Sequence, residues 1–165
     1  MLSPLKGMKL ANFADDAVSA SRVARRTVDF ADDAMELGGK AYSAARLATL
    51  KSYLGKRGVS LEVGSADLQW GKAGAFIADE SSGTARLLLK ANPTNQNVWH
   101  ELGHFIQWKK VGPEAFAKLP RVPGNHVPEQ FVFDLLNTPT RWTRLSPEYR
   151  VHSVKYIESL GGMGR

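Results

Sequence analysis

Residues 100–104 read His100-Glu101-Leu102-Gly103-His104, and this pentapeptide limits what the chain can fold into more than any other stretch. Its surroundings are helical in pattern. Thr94 or Asn95 caps a helix that runs from about Asn95 to Lys110 and closes near Gly112-Pro113. Val98, Leu102, Phe105 and Ile106 form its apolar stripe. Trp99 and Trp108 widen the apolar surface, and Glu101 is the one charged residue between Val98 and Trp108. A helix apolar on most sides is buried. His100 and His104 then project together from one face, and two imidazoles and a carboxylate buried there need partners. One ion held by both histidines would satisfy them. The plainer alternative, an ordinary helix with two solvated histidines, would leave that second side polar.

His-Glu-x-x-His on a helix is the pattern of zinc-dependent peptidases, with the glutamate placed to take a proton from water at the metal. A third ligand has to come from elsewhere. The extended form of the motif would put Gly at 107 and His at 110; Gln107 and Lys110 stand there instead. The downstream candidates are Glu114, His126, Glu129, Asp134, Glu148 and His152. Glu129 stands out because it opens the run Glu129-Gln130-Phe131-Val132-Phe133-Asp134-Leu135-Leu136, a short buried helix in which it shares a face with Val132, Phe133 and Leu136. A carboxylate in such a stripe is costly unless it is paired or bound to a metal. The alternative is a helix-start carboxylate after Pro128 that faces solvent and is favoured by the helix dipole. His126 is the runner-up ligand.

Ser146 and Pro147 mark the start of a last helix, reaching about Leu160. Tyr149, His152 and Tyr156 fall on one side of it, and Val151, Val154 and Ile157 largely on another. Hydrolysis through a tetrahedral intermediate needs a donor aimed at the developing oxyanion. His152 or one of these tyrosines is a candidate; spacing alone is equally compatible with a His and two Tyr packed at the edge of the core.

From about Gly58 to Leu160 the chain resembles the zincin-like metallopeptidase toxin domains found at the C-termini of bacterial polymorphic toxins, such as Rhs-type proteins. Four elements carry the resemblance in order and spacing. They are Leu87-Leu88-Leu89 with Pro93-Thr94, then Val98-Trp99-His100-Glu101-Leu102-Gly103-His104, then Glu129-Gln130-Phe131-Val132-Phe133, and finally His152 four residues before Tyr156-Ile157. Gln130-Phe131 departs from the pattern, since many relatives carry a second acid and a tyrosine there. The resemblance implies His100, His104 and Glu129 as zinc ligands and Glu101 as catalytic base, and it draws attention to His152. It also implies a cognate immunity protein, and delivery into a target cell as the C-terminal part of a larger secreted effector.

Composition agrees with a small globular enzyme. The chain has 165 residues, 43% hydrophobic and 23% charged, within the range of one domain with a substantial core. No stretch approaches the roughly 18 apolar residues of a membrane span, and the N-terminus lacks the apolar region and cleavage site of a signal peptide. There is no cysteine, so any metal must use nitrogen and oxygen ligands. The net charge is +6. Residues 1–57 hold ten Lys/Arg against six Asp/Glu, and residues 58–165 hold twelve against ten. No nucleic-acid motif accompanies the basic excess, which reads as solvated helix faces and favours an acidic protein partner.

Residues 1–57 read as a helical linker or pre-toxin segment. Phe13-Ala-Asp-Asp-Ala17 recurs as Phe30-Ala-Asp-Asp-Ala34, two copies being too few for a solenoid. Helix resumes after Gly38-Gly39, from Ala41 to about Tyr53. Residues 58–165 read as the catalytic domain. Val59–Val63, Gly74–Ala78 and Ala85–Leu89 are short strands, the last two joined by a hairpin loop at Asp79–Gly83, and Ala85–Leu89 is the expected edge for pairing with an extended substrate. The whole is α+β: a small zincin-like domain with a short sheet and an active-site helix. The function this predicts is that of a zinc endopeptidase toxin cleaving a target-cell protein in interbacterial competition. The alternatives are a metal-containing binding protein without turnover and a zinc hydrolase of a non-peptide amide.

Overall fold

A computed structural model describes residues 39–163. The repeat at Phe13 and Phe30 and the helices expected before Gly38 lie outside the described residues.

The first helix among the described residues, α1 (Ala44–Gly55), starts at Ser43, whose hydroxyl accepts the Arg46 N–H. Its composition is rich in alanine, yet it buries Leu50 and Leu54 and packs on the first strand of the sheet, β1 (Val59–Val63). The chain just before it is tied to the rest by backbone bonds. Ala41 bridges Thr94, Tyr42 N–H donates to Pro93 O, and Asn95 N–H donates to Lys40 O. Residues 40–57 therefore share a core with elements later in the sequence.

Strands β2 (Gly74–Asp79) and β3 (Thr84–Leu89) form the expected antiparallel hairpin. Its loop is organised by Asp79, whose carboxylate accepts the backbone N–H groups of Ser81 and Ser82; the hydroxyls of the two serines first, and these backbone bonds second, hold its pKa down at about 2. β1 runs parallel to β3, in register from Val59 opposite Ala85 to Val63 opposite Leu89. The strand order is β1-β3-β2, which corrects the expectation that Ala85–Leu89 is an edge. The physical reason lies in Leu87-Leu88-Leu89, all fully buried. Side chains alternate between the two faces of a sheet, so an uninterrupted leucine run needs cover on both, which the centre supplies. The half-exposed β2 takes the edge instead.

The long helix α2 (Asn95–Val111) is fixed at both ends. Thr94 and Asn97 cap each other's backbone at the start, and Gly112, at φ 89°, turns the chain out at the end. Helix α3 (Pro113–Ala117) and a two-residue ladder of β4 (Arg121–Val122) and β5 (Asn125–His126) lead to α4 (Val127–Leu136). A short helix, α5 (Pro139–Trp142), precedes α6 (Pro147–Ser159), which begins at the Ser146 cap as its sequence predicts. Helix α2 lies between the sheet and α4. Phe76 of β2 meets Trp108 edge to face at 5.9 Å, and Phe105 meets Tyr53 of α1 at 6.3 Å. On a neighbouring face Gly103 lets α4 approach so closely that a Cβ there would stand 2.9 Å from Val132. Val132, Leu136, Leu145 and Tyr149 form a buried cluster joining α4 to α6.

Leu87 sits at the middle of β3, opposite both Leu61 and Phe76. Leu87→Ala is expected to cost about 2–5 kcal/mol by creating a cavity in the buried centre of the sheet. A urea titration measures it; a loss below about 1 kcal/mol would contradict the central position of β3.

Candidate metal centre

Helix geometry places His100 and His104 one turn apart on the α2 face that meets α4, with ring centroids 5.1 Å apart. Glu129 lies in the first turn of α4, next to Val132 and Phe133, whose burial fixes that helix against α2. The three side chains meet. His100 Nε2 is 3.1 Å from Glu129 Oε2, and His104 Nε2 is 3.4 Å from Glu129 Oε1. One nitrogen or oxygen from each lies within 4.8 Å of the others. The side chains keep only 24%, 9% and 13% of their exposure. The 3.1 Å approach is not aligned as a hydrogen bond: Glu129 Oε2 is buried without a hydrogen-bond partner among the described residues. Atoms that converge without sharing a proton fit a cation between them, and two imidazoles with one carboxylate form a donor set suited to a divalent transition metal.

Glu101 is on the same helix but faces the sheet rather than α4. It packs against the first residue of β2, so tightly that a Cβ on Gly74 would stand 2.7 Å from Glu101 Cγ and Oε1. Its Oε2 is buried without a hydrogen-bond partner among the described residues. The two carboxylates are driven in opposite directions. Burial raises the pKa of Glu101, partly opposed by His100 and His104. Burial also acts to raise Glu129, but there the two imidazoles prevail and hold it well below the ordinary carboxylate range. For His100, burial disfavours the charged ring, yet Glu129 and Glu101 outweigh it and lift the pKa to about 9.

A cavity of about 600 Å³ opens over these residues, lined by Gly74, Ala75 and Phe76 of β2, by His126, and by Tyr149, His152 and Tyr156 of α6. His152 stands at the exposed rim, its ring parallel to that of Tyr156 at 6.1 Å. Burial and the charges of Glu129 and Glu101 push Tyr156 up to about 12 and Tyr149 higher still, so both remain hydroxyl donors. His126 faces the same cavity but is not part of the three-residue cluster. Glu114 pairs with Lys118 on the surface and Asp134 accepts from Gln130, both away from the cluster. Two features carried no signal of their own in the sequence. One is the closeness of Gly74 to Glu101, set by strand pairing. The other is the approach of the Tyr149 hydroxyl to within 3.5 Å of His100 Nδ1, although Tyr149 falls on the His152 side of its helix as its spacing predicts.

The buried pair of imidazoles and the carboxylate facing both form a cluster that could hold a metal ion, with a second acid beside it. The chain belongs to the metallopeptidase toxin 4 family, whose sequence profile matches residues 25–162. Comparison with curated proteins and with solved structures gives no match. Among the described residues no helix is long and apolar enough to cross a membrane.

The raised pKa of Glu101 has a consequence for stability. A carboxyl whose folded value lies above its ordinary 4.5 stabilises the fold below that pH, and this contribution is lost as pH rises through the folded value. Glu101→Gln removes the titration and keeps the shape. With metal removed by chelator, the variant should melt above the wild type, by about 2–4 °C for each kcal/mol relieved, and the gap should open as pH rises from 5 to 8. Identical melting curves across that range would show that Glu101 carries no burial penalty.

Proposed function

We propose that the chain is a zinc endopeptidase of zincin-like fold that acts as a toxin by cleaving a protein of the target cell. The observation that carries this reading is the convergence of His100, His104 and Glu129 with Glu101 beside them and outside the cluster. A purely structural site uses its acids as ligands and has no need of a further buried one. In this reading His100, His104 and Glu129 hold zinc through two nitrogens and an oxygen, leaving a position open. Zinc bound there would supply the charge that polarises the scissile carbonyl and acidifies water.

The remaining work falls to the side chains. Glu101, held against Gly74, takes the proton of the attacking water and returns it to the leaving amine; its raised pKa suits both transfers. His152 at the cavity rim donates to the oxyanion as it develops. The substrate lies along β2, the edge of the sheet that lines the cavity, and pairs with it through backbone bonds. Residues 58–165 form the catalytic domain, and residues 1–57 a pre-toxin segment whose last part, α1, docks on the sheet. Family membership supports delivery into target cells as the C-terminal part of a larger secreted effector, with a cognate immunity protein restraining it in the producer. The net charge of +6 favours an acidic inhibitor, since complementary charge speeds encounter.

Purified protein should hold about one zinc per chain, as an N/O site of this kind takes up the metal. Alanine at His100, His104 or Glu129 should strip it, as elemental analysis would read. Full retention in Glu129→Ala would remove Glu129 from the site and promote His126. Glu101→Gln should keep the zinc and abolish both toxicity and the appearance of new protein N-termini in producing cells. Undiminished toxicity in that variant would separate the harm from hydrolysis.

A further inference from the structure

His100 and His104 are not held alike. Each turns Nε2 toward Glu129. The second nitrogen of His104, Nδ1, is buried without a hydrogen-bond partner among the described residues, so no polar group on that side orients the ring. The second nitrogen of His100 faces the hydroxyl of Tyr149 at 3.5 Å. Tyr149 comes from α6, the last helix, and only 6% of its surface is exposed. Its ring belongs to the apolar cluster of Val132, Leu136 and Leu145, with Trp99 and Trp142 against it, so its position is fixed by packing. A buried phenol seeks a polar partner, and His100 is the one to which its hydroxyl is bonded among the described residues.

We propose that Tyr149 is a positioning residue for the metal centre, fixing the tautomer and ring orientation of His100 through Nδ1. The inference rests on the metal reading of His100, His104 and Glu129. The reasoning is one of proton placement. A neutral imidazole carries one N–H and one lone pair. If Nε2 gives its lone pair to a cation, Nδ1 must carry the hydrogen and needs an acceptor. The Tyr149 oxygen supplies one, from a ring that cannot swing away without opening the α4–α6 core. A partner of this kind on the far nitrogen raises the basicity of the ligating one and removes the rotational freedom that binding would otherwise have to suppress. The last helix, which contributes none of the three ligands, thus acts on one of them directly.

Tyr149→Phe tests this, because it deletes the hydroxyl and leaves the ring in its cluster. Zinc affinity is read by competition with a chromophoric chelator, and ligand geometry by the visible absorption of the cobalt-substituted protein. The variant should bind zinc about 10–100-fold more weakly with an altered cobalt spectrum, while its urea midpoint in chelator stays near that of the wild type. Wild-type affinity together with a wild-type cobalt spectrum would overturn the proposal and leave Tyr149 as core packing. If the variant does not fold, nitrogen-edited NMR of the zinc-loaded wild type decides. A slowly exchanging proton on His100 Nδ1 supports the link to Tyr149, and a rapidly exchanging one refutes it. Failure of the wild type itself to bind zinc would instead sink the metal reading, an outcome distinct from a variant that binds as well as its parent.

Discussion

The contact between Glu129 and the two histidines of α2 is the interaction on which the site depends, and apolar packing enforces it. Helix α4 must bury Val132, Phe133 and Leu136, and Gly103 offers a surface on α2 with no side chain in the way. Once that contact forms, the first turn of α4 can only lie over the next face of α2, where His100 and His104 project. A carboxylate brought there loses water and recovers part of the cost from the two imidazoles. Among the described residues Glu129 Oε2 nevertheless has no hydrogen-bond partner. The fold thus holds a cluster of polar atoms that could take an ion, and the apolar core provides the force that keeps it assembled.

The same packing divides labour between two acids. Glu129 faces α4's partners, the imidazoles, and its carboxyl is held in the ionised form. Glu101, one residue after His100, points instead to the sheet, where burial makes ionisation costly. The roles proposed for them follow from these surroundings: a ligand should stay charged, while a base must gain and lose a proton near neutral pH. Gly74 is where this division is set. It is the first residue of the edge strand, and without a side chain it leaves the space that Glu101 occupies. The strand that lines the cavity is thereby brought against Glu101, the base of the proposed reaction.

Much of this was legible from local pattern. Capping residues at Thr94, Gly112 and Ser146 mark the ends of the two long helices, because end groups of a helix are satisfied by neighbours in sequence. Glu129 could be singled out because a carboxylate in an apolar stripe is costly at any place in a fold. The order of the strands was harder. A hairpin between β2 and β3 is a local event, whereas the pairing of β1 with β3 joins segments separated by the whole of β2. The Leu87-Leu88-Leu89 run carried the clue, since a strand apolar on both faces belongs in the centre. The packing of α1 on β1 was also veiled, because its two fully buried residues, Leu50 and Leu54, are sparse among alanines and polar side chains.

What the sequence determined by itself is the chemistry available. The spacing of His100, Glu101 and His104 along a helix presents two imidazoles and an acid at neighbouring positions, and the absence of cysteine leaves nitrogen and oxygen as the donors. What only the tertiary structure decided is which way each group faces and what it meets. Glu129 joins the histidines across 25 to 29 residues of chain, Gly74 yields to Glu101 across a sheet edge, and Tyr149 reaches His100 from the final helix. None of these pairs is coupled by a backbone repeat, so no periodicity records them. They arise because helices and strands pack as rigid bodies whose apolar faces must be covered, and the polar groups at the margins of those faces are carried to wherever the packing puts them.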